Sequence, residues 1–204
     1  MNTLTAISNR YSHKEKFLTN ITIPLSDLEK IAQAALDAPS GVNRQTVQLI
    51  ILPDKESVAS LAHIAPTAGM QTVTAAIAVL TDGTRTPAGA IALASSGLAD
   101  SHGKLPPAEQ RDLNNPITFE KEDYSAAVQN ILLAATALGY SSLWLDSPFF
   151  SNAAQKAARE TLGTPDSFHL WAVIPIGKPE AEGGRREKLP FAQRVSYKRY
   201  GGAK

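Results

Sequence analysis

Apolar residues along this chain recur at two spacings, one typical of amphipathic helices and the other typical of buried strands. The first helix is predicted over residues 26–36, where Ser26-Asp27-Leu28-Glu29 has the pattern of a capping box. Pro39 bars any longer continuation of this helix. The apolar positions at helical spacing within it are Leu28, Ile31, Ala32 and Ala35.

The remaining elements follow from the same two patterns. A helix over 123–138 is small and apolar on more than one side, which predicts burial in the domain or in a subunit interface, and Gly139 is placed to end it. Helices that alternate with strands predict an α+β fold, an α/β sandwich around one sheet. The other predicted helices cover 55–63, 88–98 and 152–162, and the predicted strands cover 48–52, 74–80, 142–145 and 168–176.

Two stretches lack a clear pattern. Residues 84–120 include a segment at 101–115 with one glycine and two prolines, which reads as a mobile excursion. This excursion is either an active-site lid or a surface loop, and we favour the surface loop. The tail from residue 178 carries Gly183-Gly184 and many cations, and is predicted to be extended. Without an internal repeat or a long linker, residues 1–204 are predicted to form a single domain.

Composition and charge exclude several classes of protein. The chain has 204 residues with a formal net charge of +1, which argues against a general nucleic-acid binder. It has no cysteine, so disulfides and thiol catalysis are excluded. The first residues lack the apolar core of a signal peptide, and no stretch approaches the roughly 20 apolar residues that span a bilayer. We therefore expect a cytoplasmic protein without a membrane partner.

Familiar catalytic motifs are absent from the sequence. The four histidines form no His-x-x-x-His pair, so no metal site is expected. Neither a Gly-x-Ser-x-Gly elbow nor a Gly-x-Gly-x-x-Gly fingerprint is present. Because no acid, base, nucleophile or metal site is evident, we expect an organic cofactor to supply any demanding chemistry.

Two groups of cations are candidate anion contacts. Arg10, Ser12 and Lys14 would project to one side of an extended segment, because side chains alternate along such a segment. Two cations and a hydroxyl suit a phosphate and a polar ring edge. The tail sequence Arg185-Arg186-Glu187-Lys188-Leu189-Pro190 is a second group suited to a phosphate. For both groups a solvated charged surface is the alternative.

A turn between the first helix and the first strand offers a different kind of contact. The stretch from Pro39 to Gln45 combines a rigid turn, backbone N–H groups around Ser40-Gly41 and two amide side chains. Amides donate and accept at once, which matches the edge of an isoalloxazine ring. A plain connecting loop is the alternative. For Ala68-Gly69-Met70-Gln71, before the second strand, a core or turn role is favoured when it is read alone.

Taken together and in order, these motifs resemble those of the FMN-dependent nitroreductase family. That family shows Arg-x-Ser-x-(Arg or Lys), then Pro-Ser-x-x-Asn-x-Gln, then a turn similar to Gly-Asn-Gln. A helix rich in alanine and leucine, an aromatic strand, a Gly-x-Pro stop and a basic tail complete the pattern. The later matches are the stretch from Asp123 to Trp144, Gly177-Lys178-Pro179 and the basic tail, so the resemblance covers nearly the whole chain.

The resemblance implies a nitroreductase-like fold with a central mixed, mainly antiparallel sheet flanked by helices. It also implies an intertwined homodimer with FMN at the subunit interface. The implied activity is that of an FMN-dependent oxidoreductase, in which NADH or NADPH reduces nitroaromatic, quinone or related small-molecule acceptors by a ping-pong mechanism. Apart from Lys14, which would stabilise negative charge at flavin N1 and O2, no side chain is implied to be catalytic.

The resemblance also implies the residues that contact the cofactor. Phosphate contacts are implied for Arg10, Arg186 and Lys188, and contacts to the ribityl chain and the pyrimidine edge for Ser12 and Lys14. Contacts from the partner subunit are implied for Pro39, Ser40, Gly41 and Asn43, with Gln45 nearby. The remaining implied contacts are Gln71 and, along the ring near N5, Leu145, Asp146 and Ser147.

Three departures from the family pattern leave the substrate and the redox potential open. Met70 stands where the family often has asparagine, Thr46-Val47 replaces a frequent Pro-Trp, and Asp146-Ser147 occupies a stretch where glycine is common. Two other functions also stay open. One is a flavin-binding storage or sensing protein without efficient turnover, and the other is a specialised flavin-fragmenting, dehalogenating or dehydrogenating member of the family.

Overall fold

A computed structural model describes residues 1–43, 45–82 and 119–202 of the chain. The predicted helix at 88–98 and the predicted excursion at 101–115 lie outside the described residues. In chain order the described elements are α1 (Thr3–Asn9), α2 (Leu25–Leu36), a 3-10 turn (Gly41–Asn43), β1 (Val47–Leu52), α3 (Lys55–Ala62), α4 (Ala68–Thr72), β2 (Ala75–Asp82), α5 (Phe119–Ala137), β3 (Ser141–Ser142), a second 3-10 turn (Ser147–Phe149), α6 (Asn152–Leu162), β4 (Phe168–Gly177) and α7 (Phe191–Arg194).

The strands form one sheet in the order β1-β2-β4-β3, with every neighbouring pair antiparallel. Beyond β3, Ser12 forms a parallel bridge with Ser142, so the N-terminal segment extends the sheet and makes it mixed. Helices α2 and α5 cover one face, and α3, α4 and α6 lie on the other. Residues 75–80 of β2 are buried on both faces for this reason. The predicted α/β sandwich around a mainly antiparallel sheet is confirmed.

The edge strand β1 is less buried than its sequence suggests. Of its residues only Leu52 is buried, and residues 47–51 are half-buried. The predicted strand at 48–52 is correct in position, but the prediction that it is buried is wrong. The reason is that β1 pairs with β2 on one side and has no neighbouring strand on the other among the described residues.

The capping box predicted for α2 is also wrong. The helix begins at Leu25, directly after Pro24, whose carbonyl accepts the N–H groups of Asp27 and Leu28. Pro24 is thus the N-cap residue, so Ser26 lies inside the first turn, and no side chain caps this end of the helix. Asp27 instead accepts hydrogen bonds from Lys30 and from the Tyr140 hydroxyl, each at 2.9 Å.

Most other element boundaries agree with prediction. The buried positions of α2 are those predicted, and the left-handed conformation of Gly139 (φ 81°) follows the end of α5. Helix α5 starts at Phe119, before the predicted start at 123, so Asp123 lies within the helix. The strand predicted at 142–145 is shorter in the structure, where β3 covers two residues. Leu145 then forms a separate antiparallel bridge with Val173. The N-terminal helix α1 had no prediction from the sequence pattern.

The tail is exposed over residues 181–201 and is extended as far as the short helix α7. After α7 the prediction of an extended tail is wrong, because residues 197–201 form a turn in which the Gly202 carbonyl accepts the Tyr197 N–H at 2.9 Å. None of the helices described for this chain has the length and apolar character needed to cross a membrane. The cytoplasmic location and the single-domain organisation stay predictions.

Candidate functional site

The N-terminal segment after α1 is held in an extended conformation against β3. The His13 backbone N–H donates to the carbonyl of Ser142 at 3.0 Å, and His13 Nε2 donates to the Lys16 carbonyl at 2.9 Å. His13 is buried, whereas Ser12 and Lys14 on either side of it are exposed. The predicted alternation of side chains thus holds over residues 12–14, with His13 turned inward and the polar pair outward, whereas Arg10 and Tyr11 before them are both half-buried.

A cleft of about 310 Å³ brings this segment together with the C-terminal tail. The two stretches are far apart in sequence: Tyr11 and Gly183, which touch in this cleft, are 172 positions apart. Five of the residues that the resemblance implied for the cofactor line the cleft, together with one further cation that was not implied. These residues are Arg10, Ser12, Lys14, Arg186 and Lys188, and the further cation is Arg185.

The cleft carries an excess of positive charge. It is lined by five cationic side chains and one carboxylate, that of Glu15. The ion pairs found among the described residues involve other cations, namely Lys30, Lys156 and Arg159. Within the described part of the chain, the five cleft cations thus pair with no carboxylate. Because like charges in one cleft repel each other, such a cluster favours an anionic ligand.

A second concavity, of about 450 Å³, lies between α2, β1 and the turn that joins them. Its walls are mostly apolar and include half-buried residues of the edge strand β1. Pro39, Ser40 and Gln45 line it, and none of the described residues lines both this concavity and the cationic cleft. Within one chain, the two groups of predicted contacts therefore belong to two separate concavities.

The turn from Pro39 to Gln45 is tightly bonded to itself. Asn43 and Gln45 have left-handed backbones, with φ of 56° and 51°. The Ser40 carbonyl accepts the N–H of Asn43 at 3.0 Å, and Ser40 Oγ accepts the N–H of Gln45 at 3.1 Å. Gln45 Nε2 also donates to Asn43 Oδ1 at 3.1 Å. Left-handed backbone in residues other than glycine is costly, so it is maintained here by the surrounding bonds.

A buried acid, Asp123 of α5, anchors this turn. Its Oδ1 accepts the Gly41 N–H at 2.7 Å, and its Oδ2 accepts the Thr46 hydroxyl at 3.2 Å. Asp123 and Thr46 are both buried. Sequence reasoning did not find this role, although an acid one helical turn before the buried Ala127 was a usable signal. The Thr46 hydroxyl, one of the departures from the family pattern, thus has a structural partner.

The other implied contacts lie outside both concavities. Gln71 is exposed on α4, and the preceding Met70 is buried in the core beneath the sheet. Leu145 is also buried, and its backbone exchanges hydrogen bonds with Val173. Met70 therefore faces the core and packs within the cluster that includes Phe17.

Asp146 and Ser147 follow Leu145 at the start of a 3-10 turn, where Asp146 is half-buried and Ser147 is exposed. Burial raises the pKa of the nearby Tyr124 hydroxyl, and the negative charge of Asp146 raises that pKa further. The negative charge of Asp146 thus adds to the effect of burial in disfavouring ionisation of Tyr124.

Comparison with known proteins identifies the family. Residues 7–178 match the profile described as the Nitroreductase family. A protein of Archaeoglobus fulgidus with the provisional name NADH dehydrogenase/NAD(P)H nitroreductase is 30% identical over 156 residues, which cover 76% of this chain and 74% of the relative.

Solved structures show the same fold. A crystal structure from Parabacteroides distasonis with the same provisional name is 24% identical, with a TM-score of 0.71 over 97% of this chain and 99% of that chain. A crystal structure from Desulfovibrio desulfuricans, provisionally named a nitroreductase and solved in complex with FMN, is 22% identical, with a TM-score of 0.68 over 96% of this chain and 95% of that chain. The fold is thus nitroreductase-like, and with the profile match over residues 7–178 the chain belongs to the nitroreductase family.

Proposed function

We propose that this chain is an FMN-dependent oxidoreductase that uses NADH or NADPH to reduce nitroaromatic, quinone or related acceptors. The observation that carries the proposal is the cleft between the N-terminal segment and the tail, with five cations that pair with no carboxylate in the described part of the chain. Family membership, the names of the relatives and the FMN complex of one structural neighbour support it.

The residues of the cleft fit the phosphate end of FMN. Guanidinium and ammonium groups are the donors that bind phosphate oxygens most strongly, and a hydroxyl can join them. Arg10, Arg186 and Lys188 would hold the phosphate, and Arg185 adds a further cation. Ser12 and Lys14, on the exposed side of the same segment, would contact the ribityl chain and the pyrimidine edge.

Bound FMN would supply two-electron transfer, with the nicotinamide giving up its hydride and leaving before the acceptor enters. The chain's own residues would bind and orient the reactants. Lys14 would place a positive charge beside the pyrimidine edge, where negative charge develops. This division of labour is consistent with a sequence that offers no evident acid, base or nucleophile.

We further propose that the active form is a homodimer. The turn that carries Pro39 and Ser40 lines a different concavity from the cationic cleft, so one chain presents the two groups of contacts apart. The tail also leaves large apolar side chains exposed, with Leu189 at 67% and Phe191 at 68% of their full accessibility. A second chain would cover these side chains and bring its own turn to the cleft.

The proposal is tested with the double variant Arg10→Ala/Lys188→Ala. Because each charge-assisted hydrogen bond contributes roughly 1.5–3 kcal/mol, we expect FMN affinity to fall at least about 100-fold while the apoprotein stays folded. The measurements are FMN fluorescence titration and circular dichroism. Lys55→Ala/Lys156→Ala, which removes the same total charge from exposed positions on α3 and α6, is the matched control and should bind FMN as the wild type does.

The catalytic part of the proposal needs a separate measurement. Stopped-flow mixing of the FMN-loaded wild type with NADH or NADPH should bleach the flavin absorbance, and an acceptor should restore it. Retention of FMN by the double variant through dialysis would show that the phosphate assignment is wrong. A flavin that neither nicotinamide bleaches would instead indicate a binding protein without turnover.

A further inference from the structure

The cationic part of the tail is fastened to the rest of the molecule at one point. Between the backbone bond from Glu180 to Lys16 and the short helix α7, the tail residues 181–190 are exposed. Within the described part of the chain, these residues make a single hydrogen bond to the body of the protein. It is the bond from the Gly183 N–H to the Tyr11 hydroxyl, at 3.3 Å.

Tyr11 is itself held in place from two sides. Its hydroxyl hydrogen bonds with Ser141 Oγ of β3 at 3.1 Å, and its ring packs edge-on against that of the buried His13, with 6.1 Å between ring centroids. The ring is therefore part of the same extended segment that presents Ser12 and Lys14 to the cleft. The contact between Gly183 and this ring therefore also sets the position of the three tail cations relative to that segment; these cations are Arg185, Arg186 and Lys188.

Position 183 admits only glycine in this arrangement. A Cβ atom there would overlap Cε2 of the Tyr11 ring and lie 3.1 Å from Cζ. The ring cannot move aside without losing its bond to Ser141. At the adjacent Gly184, by contrast, an added Cβ would meet no heavy atom within 4 Å. The two neighbouring glycines thus differ sharply in what surrounds them.

Fastening is needed because the two cation groups repel each other. Arg10 and Lys14 lie on one wall of the cleft, and Arg185, Arg186 and Lys188 lie on the other. Without an anion between them, an exposed tail held by few contacts would move away from the opposite wall. The Tyr11–Gly183 contact holds the two walls together before a ligand arrives, which reduces the ordering cost of binding.

We infer that Tyr11 and Gly183 are positioning residues that give the cleft its selectivity for a phosphorylated flavin over its unphosphorylated counterpart. This inference rests on the proposed function, because it takes FMN as the ligand of the cleft. The selectivity arises because the tail cations contact only the phosphate and no other part of the flavin. Displacing the tail therefore weakens binding of FMN and leaves binding of riboflavin, which lacks the phosphate, nearly unchanged.

The test compares FMN and riboflavin affinities of the full-length apoprotein by flavin fluorescence titration. For Gly183→Ala we expect the dissociation constant of FMN to rise about 10-fold or more and that of riboflavin to change less than about threefold. Gly184→Ala is the matched control, since it restricts the unfolded chain equally, and it should change both constants less than about twofold. Tyr11→Phe keeps the ring and removes the hydroxyl, so we expect a loss of about threefold confined to FMN.

The ratio of the FMN affinity to the riboflavin affinity is the decisive measurement, because a purely structural defect would lower both affinities and leave their ratio unchanged. Equal weakening of FMN and riboflavin in Gly183→Ala, or no change in either, overturns the inference. If Gly183→Ala does not fold, as judged by circular dichroism, Tyr11→Phe decides the question by the same ratio. A wild-type protein that binds no FMN overturns the proposed function and the inference together, whereas wild-type binding with an unchanged ratio in the variants overturns the inference alone.

Discussion

The cationic cleft and the Pro39–Gln45 turn are both polar regions at the surface of one fold, yet they are built in opposite ways. The cleft joins two stretches 172 positions apart, and among the described residues a single hydrogen bond connects its tail wall to the body of the protein. The turn is one short local segment, bonded to itself and to the buried Asp123. The described part of the cleft therefore depends on charge and on one contact, whereas the turn is held by hydrogen bonds among its own residues and to Asp123.

This difference teaches where each region is sensitive to change. Substitutions in the cleft should alter the affinity for anions with little effect on stability, because its side chains are exposed. Substitutions that release the turn should alter stability first, because its anchor consists of two buried polar side chains, those of Asp123 and Thr46, which would lose their partners. Three predictions follow from this contrast, in order of decreasing effect.

The largest effect is expected for Asp123→Ala. Without the carboxylate, the Gly41 N–H and the buried Thr46 hydroxyl lose their acceptor, and each unsatisfied group costs roughly 1–3 kcal/mol. We expect the free energy of unfolding to fall by about 2–4 kcal/mol, measured by chemical denaturation. The affinities for FMN and riboflavin should fall together, since this region does not contact the phosphate in the proposed site.

Two variants control this prediction. Asp123→Asn keeps one acceptor oxygen and should lose less stability than the alanine variant. Glu122→Ala, at an exposed position on the same helix, should have an effect within about 0.5 kcal/mol. A loss of FMN affinity without a matching loss of riboflavin affinity in Asp123→Ala would show that the turn and the cleft are not independent.

A smaller effect of opposite sign is expected for Gln45→Gly. Its φ of 51° is costly for glutamine and free of strain for glycine, so we expect the free energy of unfolding to rise by about 0.5–1 kcal/mol. Gln45→Ala removes the same amide but keeps the strain, and it should not gain stability. Thermal and chemical denaturation of the pair measure the difference.

The same pair separates backbone conformation from ligand contact. If the Gln45 amide contacts the flavin, both variants should lose FMN and riboflavin affinity to the same extent, although only the glycine variant is stabilised. Unequal losses would show that the backbone conformation, and not the amide, governs binding at this position.

The smallest effect concerns the start of α2, the helix that leads into the turn. Hydrogen bonds from Lys30 and then from Tyr140 lower the pKa of Asp27 below its ordinary value of 3.8. Because the pKa is lower in the folded state, the stabilisation is present above the unfolded value and is lost as the pH falls through the folded value. The difference in Tm between wild type and Asp27→Asn should be constant above about pH 5 and should shrink as the pH falls below about pH 4.

A matched measurement with Glu29→Gln, an exposed acid of the same helix, should show a smaller difference at every pH. The effect of Asp27 is small because solvent screens its charge. A Tm difference that persists unchanged in acid would show that the hydrogen bond from Tyr140, rather than the charge of Asp27, anchors this end of the helix.

The spacing of apolar residues predicted the helices and strands well where other elements of the same chain bury the element. The apolar spacing of α2 and the continuous apolar runs of β2 and β4 are direct consequences of burial on one stripe or on two faces. Boundaries and exposure were less accurate. Pro24 moved the start of α2, and the edge position left β1 half-buried, although its sequence resembles that of a central strand.

For the site, alternation correctly predicted that Ser12 and Lys14 face outward, because that property is local to an extended segment; it did not distinguish Arg10 from Tyr11, which are both half-buried. The anchoring of the turn could not be predicted in the same way. Asp123 and Gly41 are separated by 82 positions, and no local pattern indicates that they meet. The roles of the individual predicted contacts toward FMN stay proposals that the variants above test.

By itself the sequence determined the kinds of groups available: cations and a hydroxyl at alternate positions, a proline-led turn with amides, no cysteine, and an order of motifs that resembles the nitroreductase family. Only the tertiary structure decided that the tail cations face the N-terminal segment, that Tyr11 meets Gly183 and that Asp123 holds the turn. The physical reason is one of range. Charge, side-chain alternation and turn chemistry act between near neighbours, whereas contacts across the chain depend on how the whole sheet and its helices pack.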